Sequence, residues 1–293
     1  MKIIIFANPK AGKTSIEQKL RILEPLRRNI PPHSRGFCLI EGLETKTREE
    51  FQQLLASESK GLDCAIIAGG DGTFSDALNH AHPETPLGYI PLGRGNALEY
   101  ALRQHKPKQY RNTFRPATVL ETDILIDREG MRALFYGMGF DGYFIHLSDT
   151  LQKKGIRGNL AYLLSLAWGF TYGFKRAGMN INTESHALPK LHNAFLCFVS
   201  KHPYQGWGTR ILPKASLNDG FLHGVMVNQS RINILRDLVR THTRKYMSPG
   251  HFVAQELYIN AEVPMPVQRD GEYVGEKKEI YLRVEPRARK LIL

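Results

Sequence analysis

The chain has 293 residues, which suits two domains of ordinary size and is too long for one minimal core. Apolar residues make up 42% and charged residues 23%, which excludes a disordered or low-complexity protein. Lysine and arginine outnumber aspartate and glutamate by 40 to 28, and the resulting charge of +12 calls for an anionic partner: nucleic acid, an acidic membrane surface or nucleotide phosphate.

Taken in order, Lys2 to Ala7 reads as a strand buried on both faces, as in a parallel α/β sheet. Its apolar part is too short for a signal peptide, so a cytoplasmic location is expected. Asn8-Pro9-Lys10-Ala11-Gly12-Lys13-Thr14 forms a turn flanked by Lys10 and Lys13, and a helix follows from about Ser15 to Arg28. Only the Gly-Lys-Thr end of a Walker A loop is present. Phe37 to Ile40 is a second strand, Thr47 to Ser57 a charged amphipathic helix, and Cys64 to Ala68 a buried strand.

That strand opens onto Gly69-Gly70-Asp71-Gly72-Thr73 and a helix starting near Phe74. Leu87 to Ile90 then opens onto Pro91-Leu92-Gly93-Arg94-Gly95-Asn96 and a helix from Ala97. Strand, glycine turn and helix together aim backbone N–H groups and a helix N-terminus at a phosphate. Either turn alone fits any α/β protein; the pair, with Asp71, Thr73 and Asn96 at the tips, points to a phosphate site. The element order predicts a doubly wound parallel unit over residues 1–118.

From about Thr118 short alternating runs take over: Val119–Asp127, Arg132–Met138, Phe195–Ser200, Gly220–Val227, Phe252–Ile259, Val267–Gln268 and Lys278–Val284. They predict an antiparallel β-sandwich domain over 119–284. A helical insertion is expected at 148–176, where seventeen uncharged residues between Arg157 and Lys175 are bracketed by Lys153, Lys154, Arg157, Lys175 and Arg176. The run is short for a membrane span of about 20 residues. It fits a helix lying on an anionic membrane, or a helix pair covering the sandwich. Arg231 to Tyr246 reads as a helix with Arg236, Arg240 and Arg244 on one face, either solvated or turned to anionic lipid. No aromatic-rich basic strand or recognition helix is present, so nucleic acid is not expected as a partner. Cys38, Cys64 and Cys197 lie far apart in apolar runs, which predicts reduced core thiols and no zinc site.

Gly69–Thr73 resembles the GGDGT signature shared by lipid kinases, NAD kinases and phosphofructokinase-like enzymes. Pro91–Asn96 is similar to the PLGTGN segment of the diacylglycerol kinase catalytic family, which includes bacterial diacylglycerol kinases and sphingosine and ceramide kinases. Asn8–Gly12 resembles that family's NPxAG motif, and Gly139-Phe140-Asp141-Gly142 its GFDA turn. The resemblance implies a kinase that uses ATP and Mg²⁺ to phosphorylate a neutral lipid hydroxyl, of diacylglycerol or ceramide and sphingoid type. An NAD kinase and a lipid-binding pseudokinase are the alternatives. It also implies that the tail, about 285–293, returns to the first domain.

Carried over by position, the nucleotide would be held by Asn8, Pro9, Lys10, Gly12, Lys13, Gly69, Gly70, Asp71, Gly72, Thr73, Gly93, Arg94, Gly95 and Asn96. Pro213–Phe221 is similar to a family segment that holds magnesium, implying Asp219 and the carbonyls of Ser216 and Phe221 as ligands. Asp270-Gly271-Glu272 resembles the DGE motif, which implies Glu272 as general base supported by Asp270, with Asp71 beside the transferring group. Expected partners are the lipid substrate and an anionic membrane surface at the inner face, with homodimerisation left open. Four positions depart from the pattern: Arg94 stands for threonine, Ser75-Asp76 for Asn-Glu and Gly142 for alanine. The family's nucleotide-touching threonine cannot be placed, because Glu41-Gly42-Leu43 occupies its spot.

Overall fold

The computed structural model describes residues 2–29, 37–105, 118–156, 159–185, 187–188, 190–243 and 250–293; the expectations for Arg157, Arg244 and Tyr246 lie outside them. Two compact units are present. The first comprises Met1–Asp123, Tyr204–Thr209 and Pro286–Leu293, and the second Ile124–Pro203 and Arg210–Glu285.

The first unit is a parallel α/β sheet. Its elements are β1 (Lys2–Ala7), α1 (Ile16–Asn29), β2 (Phe37–Glu41), α2 (Arg48–Glu58), β3 (Cys64–Gly69), α3 (Asp71–His80), β4 (Leu87–Pro91) and α4 (Ala97–His105). β3 is buried at all six positions, as a central strand covered on both faces must be. The strand order from β4 runs β4-β3-β1-β2, and Leu291 and Ile292 pair parallel with Leu87 and Gly88 on the free side of β4. Ile3, Ile5, Ile66 and Ile292 share one core. Thr47 starts α2 by accepting the Glu50 N–H on its hydroxyl, while Glu50 accepts the Lys46 N–H in return.

α3 begins at Asp71, three residues earlier than the sequence pattern suggests. Its far end is closed by Arg289, which is 2% exposed and donates to the carbonyls of Ala77, Leu78, Ala81, His82 and Pro83. Asp76, one of the departures noted above, is buried against a forked contact from Arg48 and an amide from Gln52, tying α3 to α2.

β5 (Val119–Asp127) leads into the second unit. There follow β6 (Arg132–Ala133), β7 (Phe135–Gly139), α5 (Phe140–Lys153), α6 (Asn159–Trp168), a π-helical turn at Gly169–Gly173, β8 (Ala177–Thr183), β9 (Leu191–Ala194) and β10 (Leu196–Ser200). After the small β11 (Tyr204–Gln205) and β12 (Thr209–Arg210) come β13 (Leu222–Val227), α7 (Arg231–Thr243), β14 (His251–Ala254), β15 (Glu256–Arg269) and β16 (Glu272–Ile292). The unit is an antiparallel β-sandwich. β15 pairs with β8 through Leu257–Ala261, breaks register after Asn260, and then pairs with β7 through Val267–Arg269. A strand that changes partners at an irregularity is how one layer turns into the next.

Phe140 stacks on Phe195 at 4.4 Å in the core, with Phe170 and Phe174 edge-on. Cys64 and Cys197 are buried, and burial pushes both thiols up to about 12. The helical stretch starts at Phe140, earlier than the expected 148. α6 buries Ala161 and Ser165 and leaves Leu160, Leu163, Leu164 and Trp168 exposed along the opposite stripe. Among the described residues no helix is long and apolar enough to cross a membrane.

Gly142 also has a structural reason. A Cβ there would lie 2.5 Å from the Pro266 carbonyl and 2.6 Å from the Val267 nitrogen, both backbone atoms. Alanine would push α5 away from β15.

Candidate active site

Three loops converge at the C-terminal ends of β1, β3 and β4, where an open α/β sheet binds its ligand. Asn8 sits at the end of β1; its N–H reaches the Ala68 carbonyl and its side-chain amide donates to the Thr73 hydroxyl at 3.0 Å. Gly69 accepts the N–H groups of both Leu92 and Gly93. A Cβ on Gly93 would fall 2.4 Å from the Gly70 Cα, so Gly93 tolerates no side chain, while one on Gly70 would press on the Gly93 Cα at 3.2 Å. Gly12 has φ +69°, and a Cβ there would meet the Leu92 carbonyl at 2.1 Å. The motifs at Asn8, Gly69 and Pro91 thus form one surface within the first unit.

Asp71 is half-buried. Its two oxygens accept the Ala97 N–H at 3.0 Å and the Leu98 N–H at 3.1 Å, closing the first turn of α4. Burial raises its pKa, and the donors from Leu98 and Ala97 offset only part of that. Its own backbone N–H is a third donor to the carboxylate. Asn96 adopts φ +46° and donates to the Gly93 carbonyl while accepting from Tyr89. Lys10, Lys13 and Arg94 are exposed at the rim, and Pro9 and Gly95 are partly covered.

Two supports of this surface carry no sequence signal. Lys19, on α1, is fully buried and donates its ammonium to the carbonyls of Asn8 and Pro9, fixing the first loop; burial lowers its pKa. Tyr204–Thr209 folds with the first unit, where Tyr204 packs on Tyr100 at 5.8 Å and accepts from Gln104. Gly206 lies 3.4 Å from where a Gly95 Cβ would be.

In the second unit, Asp270 and Gly271 form the two-residue loop between β15 and β16, with φ of +47° and +83° and Arg269 paired to Glu272. Asp-Gly is the pair that a hairpin loop with two positive φ values prefers. Asp270 is 3% exposed and accepts the N–H groups of Leu134 and Phe135 at 2.9 Å each, pinning the hairpin to β7. Gln268, which sequence reading passes over, accepts the Gly271 N–H and donates to buried Asp141 of the Gly139–Gly142 motif. This network leaves Glu272 half-buried on a rigid turn. The Asp270 side chain thereby holds the hairpin on β7.

The magnesium set expected at Ser216, Asp219 and Phe221 is arranged differently. The ammonium of Lys201, itself fully buried, donates to Asp219 Oδ1 at 2.8 Å and to the Phe221 carbonyl. Asp219 Oδ1 also accepts the Phe221 N–H, and Oδ2 faces His223 Nε2 at 2.7 Å. Ser216 bonds through its hydroxyl to Asn218. Burial pushes the Asp219 carboxyl up, but the contacts from His223 and Lys201 outweigh it and pull the pKa down to about 2. The ammonium thus lies against Asp219 Oδ1 and the Phe221 carbonyl, two atoms of the expected set.

Residues 2–125 match the model of the diacylglycerol kinase catalytic domain, and residues 137–293 that of the YegS C-terminal NAD kinase beta sandwich-like domain. Among curated relatives, the diacylglycerol kinase of Staphylococcus saprophyticus is 24% identical over 304 residues, covering 96% of this chain and 92% of the relative. That of Staphylococcus aureus strain MRSA252 is 25% identical over 299 residues, covering 96% and 89%. The crystal structure of a diacylglycerol kinase from Bacillus anthracis superposes with a TM-score of 0.73 at 21% identity, covering 99% of this chain and 96% of that one, a likeness of fold.

Proposed function

Because the chain belongs to the bacterial diacylglycerol kinase-like family, with the catalytic domain and the C-terminal β-sandwich in that order, and is a lipid kinase, we propose that it transfers the γ-phosphate of ATP to the free hydroxyl of diacylglycerol. The observation that carries this reading is the joining of three phosphate-binding loops through Asn8 to Thr73, Gly69 to Leu92 and Gly93, and Asp71 to Ala97 and Leu98. Phosphoryl transfer asks mainly for positioning and charge neutralisation. The backbone N–H groups at Gly70–Thr73 and Arg94–Asn96 cradle the phosphates, and Lys10, Lys13 and Arg94 add positive charge. Mg²⁺ carried with the triphosphate would supply further neutralisation, and Asp71 is the carboxylate that would hold it. Glu272 takes the proton of the acceptor hydroxyl.

Diacylglycerol is favoured over ceramide and sphingosine because the curated relatives named above are diacylglycerol kinases. Access to a lipid within a bilayer needs a surface that docks there. The exposed Leu160, Leu163, Leu164 and Trp168 of α6, flanked by exposed Lys153, Lys154 and Lys175, supply an apolar stripe with a basic border. The protein then acts peripherally at an anionic membrane face.

The test is a mass-spectrometric phosphotransfer assay with ATP and Mg²⁺ against diacylglycerol, ceramide, sphingosine and NAD. Phosphatidic acid as the dominant product is expected. Phosphorylation of NAD, or lipid binding with no transfer at all, would replace the reading with a dinucleotide kinase or a pseudokinase.

A further inference from the structure

The loop from Leu212 to Leu222 in the second unit carries one carboxylate, Asp219, and the resemblance to magnesium-holding segments stops there. We propose that Lys201 is a built-in cation: its ammonium takes the place of a divalent ion in organising this loop, so the protein carries no resident metal at Asp219.

Geometry comes first. Lys201 follows β10 directly, and its backbone N–H is fixed to the Leu134 carbonyl. Its side chain is 0% exposed and ends against Asp219 Oδ1 at 2.8 Å and the Phe221 carbonyl, the two atoms that the metal set would need most. An ion bound to both would have to sit where the ammonium sits. Mg²⁺ also demands near-octahedral oxygen coordination. Here one carboxylate oxygen is already shared with the Phe221 N–H and the other with His223. Among the described residues there is no cluster of three or more His, Cys, Asp or Glu side chains able to hold a metal.

Charge decides the matter. Lys201 and Asp219 neutralise one another, +1 against −1. Adding a divalent ion beside them would leave +2 on a fully buried ammonium and a single carboxylate, with His223 and His251 3.3 Å apart as the next neighbours. The ammonium is fully buried and Asp219 28% exposed, so much of that unbalanced charge would sit out of water, which is costly. The ammonium supplies the same service, one positive centre bridging a carboxylate and a carbonyl, without depending on free divalent ions. The divalent requirement of the chain then reduces to the ion that travels with the nucleotide.

The test does not pass through catalysis, so it stands or falls apart from the kinase reading. On the wild-type protein without nucleotide, Mn²⁺ is titrated and followed by electron paramagnetic resonance, and thermal unfolding is recorded in EDTA and in excess Mg²⁺. No stoichiometric Mn²⁺ site and an unchanged Tm are expected. On Lys201→Ala, Tm falls in EDTA, and Mg²⁺ or Ca²⁺ raises it saturably; the gain disappears in Lys201→Ala/Asp219→Asn. One tightly bound Mn²⁺ in wild type that Asp219→Asn removes would overturn the proposal. So would a Lys201→Ala protein as stable in EDTA as wild type. Should Lys201→Ala not fold, the wild-type titration decides alone.

Discussion

The side-chain amide of Asn8 donates to the hydroxyl of Thr73 across 65 residues of sequence, at 3.0 Å. It joins the loop after β1 to the first turn of α3. Asn8→Ala removes a neutral hydrogen bond worth about 1 kcal/mol. The expected outcome is a small loss in urea-measured stability and a clear rise in KM for ATP, with KM for lipid unchanged. Thr73→Ser, which keeps the hydroxyl, should behave as wild type.

Asp71 closes the N-terminus of α4 through Ala97 and Leu98. Losing such a cap destabilises by ~0.5–2 kcal/mol. Asp71→Ala should therefore be inactive and also less stable by that amount, measured by urea unfolding beside turnover. A variant as stable as wild type would remove the capping role and leave only the chemical one.

Glu272→Gln keeps the hairpin and its volume but cannot accept a proton. Turnover should drop by at least ~10²-fold while ATP and lipid binding persist. Asp270→Asn should instead lower stability, because Asp270 holds the Leu134 and Phe135 N–H groups from a 3% exposed position. Near-normal turnover in Glu272→Gln would exclude Glu272 as the base.

Arg94 stands exposed on the second glycine loop. If its charge meets the phosphates, affinity should rise from AMP to ADP to ATP. Arg94→Ala should then weaken ATP ~10- to 100-fold, the scale of one charge-assisted contact. Calorimetric titration of ATP into both proteins checks this; equal affinities would turn Arg94 away from the nucleotide.

Sedimentation with liposomes reads the α6 stripe. Binding should rise with anionic lipid, fall with salt, and weaken when Leu163 and Trp168, 63% and 59% exposed, are changed to serine. Binding that ignores both charge and these two residues would remove α6 as the docking face.

The fold class was legible because parallel strands buried on both faces read as apolar runs, and because each glycine turn marks a strand end. The glycine loops were legible for a related reason: Gly12 and Gly93 are forced by contacts that admit no Cβ. What stayed hidden are long-range supports. Nothing in the letters around Lys19, Gln268 or Lys201 says that these polar side chains are buried, since each is satisfied by backbone or side-chain atoms from distant segments. β8 and β9 were likewise missed, their polar residues interrupting the alternation, as in Asn180 and Asn182. The span of β16 was underestimated because charged residues populate its exposed face. Tyr204–Thr209 could not be assigned to the first unit from sequence, because it lies in the midst of the second.

The buried Arg289 and the pairing of Leu291 and Ile292 with β4 set an order on biosynthesis. As the chain leaves the ribosome, the α/β half emerges first, yet the β4 flank stays unpaired and the far end of α3 uncapped. Both remain so until the whole sandwich has been made. An unprotected parallel strand in a nascent protein is a place where other chains add themselves. The nascent first half should therefore be a chaperone client, and ribosome-stalled chains ending before Pro286 should resist protease less than chains extended through Leu293 by a tethering linker.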